Sequence, residues 1–144
     1  MIGIDTSFLV GLAVWEHAAH RQCWDLFEHR IRAKPGSAGL APQVLSEFAH
    51  VVTDPRRFER PLPMSDAIDI CQQWSRAEEC QLIAPGPEAV SVFLNWMHRH
   101  GLGRKRLLDT LLAATYHSAG ITRIVTTNWR DFAAFGVFEV ETLH

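Results

Sequence analysis

Four carboxylates stand at positions where chemistry is possible. Asp5 closes the apolar run Met1-Ile2-Gly3-Ile4, Glu47 lies in an apolar helical stretch, Asp109 follows the basic triplet Arg104-Lys105-Arg106, and Asp131 trails the segment Ile124-Val125-Thr126. Carboxylates gathered at one place repel one another and persist together only when protonated or neutralised by a cation. Oxygen-only ligation selects Mg2+ or Mn2+ over Zn2+. Such an ion orients a phosphate, activates an attacking water and stabilises a leaving oxygen, so the chemistry implied by a cluster of these residues is phosphodiester hydrolysis. Spacing alone does not assemble them, and each has a plainer use. Asp5 is placed to cap a helix beginning near Ser7, Asp109 to sit on the surface near a helix start, and Asp131 to cap a short helix around Phe132. Glu47 has Val44 three residues before it and Val51 four after, surroundings less suited to a merely solvated glutamate.

The elements that must position these residues follow from periodicity. Met1 to Asp5 suits a short buried strand ending in a carboxylate, with a helix after it. His20, Cys23, Trp24, Phe27 and Ile31 recur at helical spacing within His17 to Arg32, and Lys34-Pro35-Gly36-Ser37 ends that element. Leu40-Ala41 reads as a very short strand. Leu45, Phe48, Ala49 and Val52 form one helical stripe closed by Asp54-Pro55, which puts Glu47 inside a helix. Ser65 is a candidate N-cap for a helix running to about Glu78, Gln81 to Ala84 a brief strand, and Glu88 to His98 a helix broken by Gly101-Leu102-Gly103. Arg104 to Ser118 reads as a further helix with Gly120 as its C-cap; Ile121 to Thr126 and Phe138 to Glu141 read as strands. Strands alternating with helices predict a doubly wound, mainly parallel sheet covered on both faces. Ligands of such sheets bind beyond the carboxyl ends of the strands, where Asp5, Asn128 and Asp131 would lie and which the helices of Glu47 and Asp109 could flank.

Composition sets the bounds. With 144 residues, 47% of them hydrophobic, the chain suffices for one ordinary core and not two, so a single domain over 1–144 is expected. No low-complexity tract or repeat is visible. The start lacks a basic region before a long apolar run, and no stretch approaches a bilayer span, so no membrane association and a cytoplasmic location are expected. Cys23, Cys71 and Cys80 are odd in number and lack CxxC spacing, which suggests buried thiols rather than a disulfide framework or thiolate metal site. A net charge of -2 excludes broad electrostatic gripping of nucleic acid. Any polyanion contact must be local, the candidates being Arg104-Lys105-Arg106 with its upstream neighbours and, as a smaller group, Arg56-Arg57 with Arg60. Either cluster also fits a solvated helix end or loop.

The motifs Ile2-Gly3-Ile4-Asp5-Thr6-Ser7, Leu45-Ser46-Glu47-Phe48, Leu108-Asp109-Thr110-Leu111-Leu112-Ala113-Ala114-Thr115 and Val125-Thr126-Thr127-Asn128-Trp129-Arg130-Asp131-Phe132 resemble the PIN domain in order, spacing and flanks, over nearly the whole chain. Length and the single-domain layout resemble the VapC toxins of toxin-antitoxin pairs in particular. The resemblance implies a groove holding one or two Mg2+ or Mn2+ ions and endonucleolytic RNA cleavage that leaves a 5′ phosphate and a 3′ hydroxyl. It makes Asp5 and Asp109 the principal ligands, with Glu47 in direct contact or acting through water, and Thr6 and Thr126 orienting carboxylates by hydrogen bonds. The fourth family position commonly carries an acid where this chain has Asn128, so Asp131 is the favoured source of the missing charge. Arg104, Lys105 and Arg106 would then hold RNA phosphates beside the cut, and Trp129 would lie near substrate. The resemblance further implies a VapB-like antitoxin whose C-terminal segment obstructs the acidic groove, and a homodimer or toxin-antitoxin hetero-oligomer.

Rival readings fare worse or differ in class. A haloacid-dehalogenase-like phosphatase needs a second Asp where Ser7 stands, a receiver domain needs an acidic pair and a later lysine that find no place, and His17 with His20 lack further zinc ligands. A PIN nuclease of RNA processing, or a PIN module that binds RNA or protein without cutting, remains an alternative to the toxin. Asp5, Glu47 and Asp109 argue against an inactive module.

Overall fold

The three-residue strand β1 (Ile2–Ile4) is buried along its whole length, as a strand with neighbours on both sides and helices on both faces must be. In the computed structural model, which describes residues 1–143, it pairs in parallel with β2 (Ala38–Leu40) on one side and β4 (Arg123–Thr126) on the other. The edges are β3 (Cys80–Leu82), beside β2, and β5 (Glu139–Thr142), beside β4, giving the order β3-β2-β1-β4-β5 with every pairing parallel.

Among the described residues seven helices connect the strands: α1 (Thr6–Ala13), α2 (His20–Leu26), α3 (Pro42–Val52), α4 (Met64–Arg76), α5 (Pro87–Arg99), α6 (Leu107–Ser118) and α7 (Trp129–Ala133). Strand order runs outward from β1 to β3, then returns across the sheet to β4 and β5. Right-handed connections therefore place α1 to α4 on one face and α5 to α7 on the other. The helix packing follows suit, with α1 against α2 and α3, α3 against α4, and α6 against α5 and α7. The chain reverses direction between β1 and β4, so the crevice of this doubly wound sheet opens where those two strands end.

Of the stripe that spacing predicts for α3, Phe48, Ala49 and Val52 are buried while Leu45 is only partly so, and Val44 takes the fully buried place. Tyr116 of α6 packs so closely on β1 that a Cβ at Gly3 would lie 2.7 Å from its ring, so only glycine fits there. Burial holds the free thiols Cys23 and Cys80 protonated, pushing them up to about 11 and about 12.

Some boundaries differ from the sequence expectation for local reasons. His17 does not open α2: its ring accepts the Ala19 N–H, and the helix begins at His20. That helix ends in a π turn, Phe27–Ile31, which delivers Ile31 fully buried to the core. Ser65 lies inside the first turn of α4, whose cap position is Pro63, with the Pro63 carbonyl accepting from Asp66 and Ala67. Arg104–Arg106 form a short 3-10 turn ahead of α6. Among the described residues no helix is long and apolar enough to cross a membrane.

Candidate active site

Asp5 is the first residue beyond β1 and is almost fully buried. It occupies the N-cap position of α1, yet its side chain makes no capping bond. Instead its Oδ2 accepts hydroxyl hydrogens from Thr126, the last residue of β4, at 2.6 Å and from Ser7 at 2.9 Å. Thr126 Oγ1 in turn accepts the Asn128 N–H at 2.9 Å, and Ser7 Oγ accepts the Thr127 N–H at 3.0 Å. The two strand ends at the switch point are thus tied together through the carboxylate. Burial pushes Asp5 above the ordinary carboxylate range, and the Thr126 and Ser7 hydroxyls oppose that rise.

Glu47 reaches the same crevice from α3. Its Oε2 accepts the Thr6 hydroxyl at 3.0 Å while the residue stays largely exposed, so its helix neighbours are apolar but its carboxylate faces solvent. Asp109, in the first turn of α6, is half-buried and is pushed up to about 6, first by desolvation and then by the negative charges of Asp5, Glu47 and Asp131. Asp109 therefore lies within the field of the other three carboxylates. Asp5, Glu47 and Asp109 line one groove of about 270 Å3 together with Ser7, Asn128 and Arg57.

Asp131 behaves differently. It lies on α7, lines a neighbouring hollow with Trp129, and faces Arg106, whose Nη1 stands 3.7 Å from its Oδ1 and whose Nη2 donates to its backbone carbonyl. Arg106 also lies over the Phe135 ring at 5.8 Å, so this basic side chain is turned inward while Arg104 and Lys105 are exposed. Asn128, not Asp131, lines the acidic groove. Ser7 had no role in the sequence reading; its position two residues after Asp5 was the available signal.

The donor set suits a hard divalent cation: oxygen donors, excess negative charge and a carboxyl raised by desolvation and then by its acidic neighbours. Among the described residues no group of three His, Cys, Asp or Glu side chains converges closely enough to hold an ion alone. Mg2+ is compatible with that arrangement, because it keeps several waters and takes only one or two carboxylates along with substrate phosphate.

Comparison with known proteins gives a concordant picture. The PIN domain matches residues 2–137. Ribonuclease VapC24 of Mycobacterium tuberculosis is 29% identical over 147 residues, which cover 97% of this chain and 94% of that protein. The crystal structure of Mycobacterium tuberculosis VapC20, a sarcin-ricin loop cleaving toxin, superposes with a TM-score of 0.74 at 21% identity, covering 98% of this chain and 99% of that one. A toxin-antitoxin complex from Klebsiella pneumoniae superposes with a TM-score of 0.63 at 15% identity, covering 99% and 97%. At those identities the two structures speak for the fold.

Proposed function

Since the chain belongs to the PIN-domain family, we propose that it is a divalent-metal-dependent endoribonuclease of the VapC type, the toxin of a toxin-antitoxin pair. The observation that carries this reading is the convergence of Asp5, Glu47 and Asp109 on one groove at the switch point of the sheet. The similarity to a ribonuclease along 97% of the chain supports it.

In this reading Asp5 and Asp109 would hold Mg2+ or Mn2+, with Glu47 completing the site directly or through water. When bound, the ion supplies charge neutralisation at the scissile phosphate and polarises the attacking water. The chain's own residues do the rest. Thr126 and Ser7 fix the Asp5 carboxylate in orientation, and Thr6 does the same for Glu47. Water adds to phosphorus and releases a proton to solvent, the P–O3′ bond breaks, and the 3′ oxygen takes a proton from solvent and leaves as a hydroxyl. Asp131, paired with Arg106, contributes its charge to Asp109 from the rim. Exposed Arg104 and Lys105 remain candidate phosphate contacts, and a VapB-like antitoxin in the cytoplasm would restrain the nuclease.

The test is end-mapped cleavage of total RNA by the purified protein with Mg2+, with Mn2+ and with chelator, beside Asp5→Asn and Asp109→Asn. Metal-dependent cuts at a few sites, lost in both variants, are expected. RNA left equally intact by wild type and variants with either metal would replace the nuclease with a binding module.

A further inference from the structure

The acidic groove has a basic residue that the reading above leaves unused. Arg57 follows α3 on the turn opened by Asp54 and is, among the described residues, the only Arg or Lys lining the groove that holds Asp5, Glu47 and Asp109. Its side chain is 62% exposed, whereas that of Asp54 beneath it is only 15% exposed. Asp54 organises the turn: its Oδ1 accepts the Arg56 N–H at 2.8 Å, and its Oδ2 stands 3.7 Å from Arg57 Nε. The ion pair meets Arg57 through Nε, and no further side-chain acceptor for Arg57 is present among the described residues. A planar guanidinium steadied at Nε presents its terminal nitrogens as a fork suited to phosphate oxygens.

The other cations near the site are differently placed. Arg106 is committed to Asp131 and Phe135, Arg130 lies over the Trp129 ring at 5.3 Å, and Arg56, which also meets Asp54 through Nε at 3.6 Å, is 90% exposed and does not line the groove. A polyanion entering a groove floored by carboxylates needs compensating charge beside the floor, and a chain with net charge -2 supplies it only locally.

We propose that Arg57, held by Asp54, is a substrate-binding residue that takes an RNA phosphate adjacent to the one at the carboxylates. The proposal rests on the nuclease reading for its substrate, and its test separates the two.

Cleavage of a single-stranded RNA carrying the mapped cut site is followed over a salt series for wild type, Arg57→Ala, Arg57→Lys and Arg56→Ala. A phosphate contact made equally before and during reaction raises KM and leaves kcat. Arg57→Ala should lower kcat/KM about tenfold at low salt, almost wholly through KM, and flatten the log–log salt slope by about 0.7 to 1. Arg57→Lys should retain the slope with weaker affinity, and Arg56→Ala should match wild type. A second arm measures binding of a mixed-sequence RNA oligonucleotide to Asp5→Asn with and without Arg57→Ala; binding should weaken on the same salt law. An unchanged slope and KM in Arg57→Ala, or equal damage from Arg56→Ala, overturns the proposal. If wild type fails to cut but Arg57→Ala still weakens binding, the phosphate contact stands and the nuclease reading falls.

Discussion

Thr126 donates its hydroxyl to Asp5 Oδ2 at 2.6 Å from 121 residues away in sequence, and Thr126 Oγ1 itself accepts the Asn128 N–H at 2.9 Å. One buried hydroxyl therefore links the end of β1, the end of β4 and the turn into α7.

That link makes Thr126→Val an informative change, because the side chain keeps its shape and loses both bonds. A buried carboxylate left short of a donor and an amide left without an acceptor cost about 1–3 kcal/mol, and loss of such an orienting bond lowers metal affinity or activity about 10- to 100-fold. Thr126→Val should melt lower and require more Mg2+ for cleavage, whereas Thr126→Ser should stay near wild type. A melting curve and a Mg2+ titration of cleavage decide it, and equal Mg2+ requirements for wild type and Thr126→Val would remove the orienting role.

The raised Asp109 carboxyl predicts how the metal-free protein responds to pH. Its folded pKa of about 6 exceeds the ordinary 3.8, so the native state binds the proton more tightly than the unfolded chain does. The stability this confers is fully present below about pH 4 and is lost as pH rises through about 6. The full effect is of order 1–3 kcal/mol, or several degrees in Tm. In chelator, Asp109→Asn should melt higher than wild type at pH 7.5, with the difference shrinking toward pH 5. Saturating Mg2+ should reverse the order at pH 7.5, since ion binding favours the ionised carboxylate. Thermal melts at both pH values with and without Mg2+ test this, and identical melting of the two proteins throughout would contradict it.

Tyr116 binds two strands at their site-facing ends. Its hydroxyl donates to the Ile4 carbonyl at 2.6 Å and accepts the Ala41 N–H at 3.1 Å. Tyr116→Phe leaves both buried backbone groups unpaired, for about 1–3 kcal/mol. The urea midpoint should fall with an unchanged m-value, and the Ala41 amide should exchange faster with solvent. An unmoved midpoint would mean that other partners take up both groups.

Much of the site was legible because local patterns carry it. The apolar stripe Leu45, Phe48, Ala49 and Val52 announces α3 and so the height of Glu47, and a carboxylate directly after an apolar triplet announces a strand end at Asp5. What spacing does not encode is pairing between distant segments. Thr6 meets Glu47 over 41 residues, and Ser7 meets Thr127 over 120. These contacts depend on strand order, which places β4 beside β1 only after β2 and β3 have gone the other way. The basic clusters show the same limit. Arg104-Lys105-Arg106 and Arg56-Arg57 look alike as strings, yet Arg106 turns inward toward an acceptor 25 residues later while Arg57 lines the groove.

Arg106 offers the sharpest contrast with Arg57. It neutralises Asp131, lies over Phe135 and lowers the Asp109 pKa by its charge, acting against the three carboxylates that raise it. Arg106→Met keeps an extended apolar stem over the Phe135 ring and removes the charge. Asp131 then repels Asp109 without compensation, so the Asp109 carboxyl should titrate above its wild-type value of about 6 in metal-free protein, and cleavage should need more Mg2+ at pH 6 than at pH 7.5. Because Arg106 spends its charge inside the protein, the salt slope of cleavage should not change, unlike that of Arg57→Ala. Carboxyl carbon NMR of Asp109 against pH, with a salt series on the same variant, separates these roles. A lowered slope with an unmoved Asp109 would make Arg106 an RNA contact instead of an internal counter-charge.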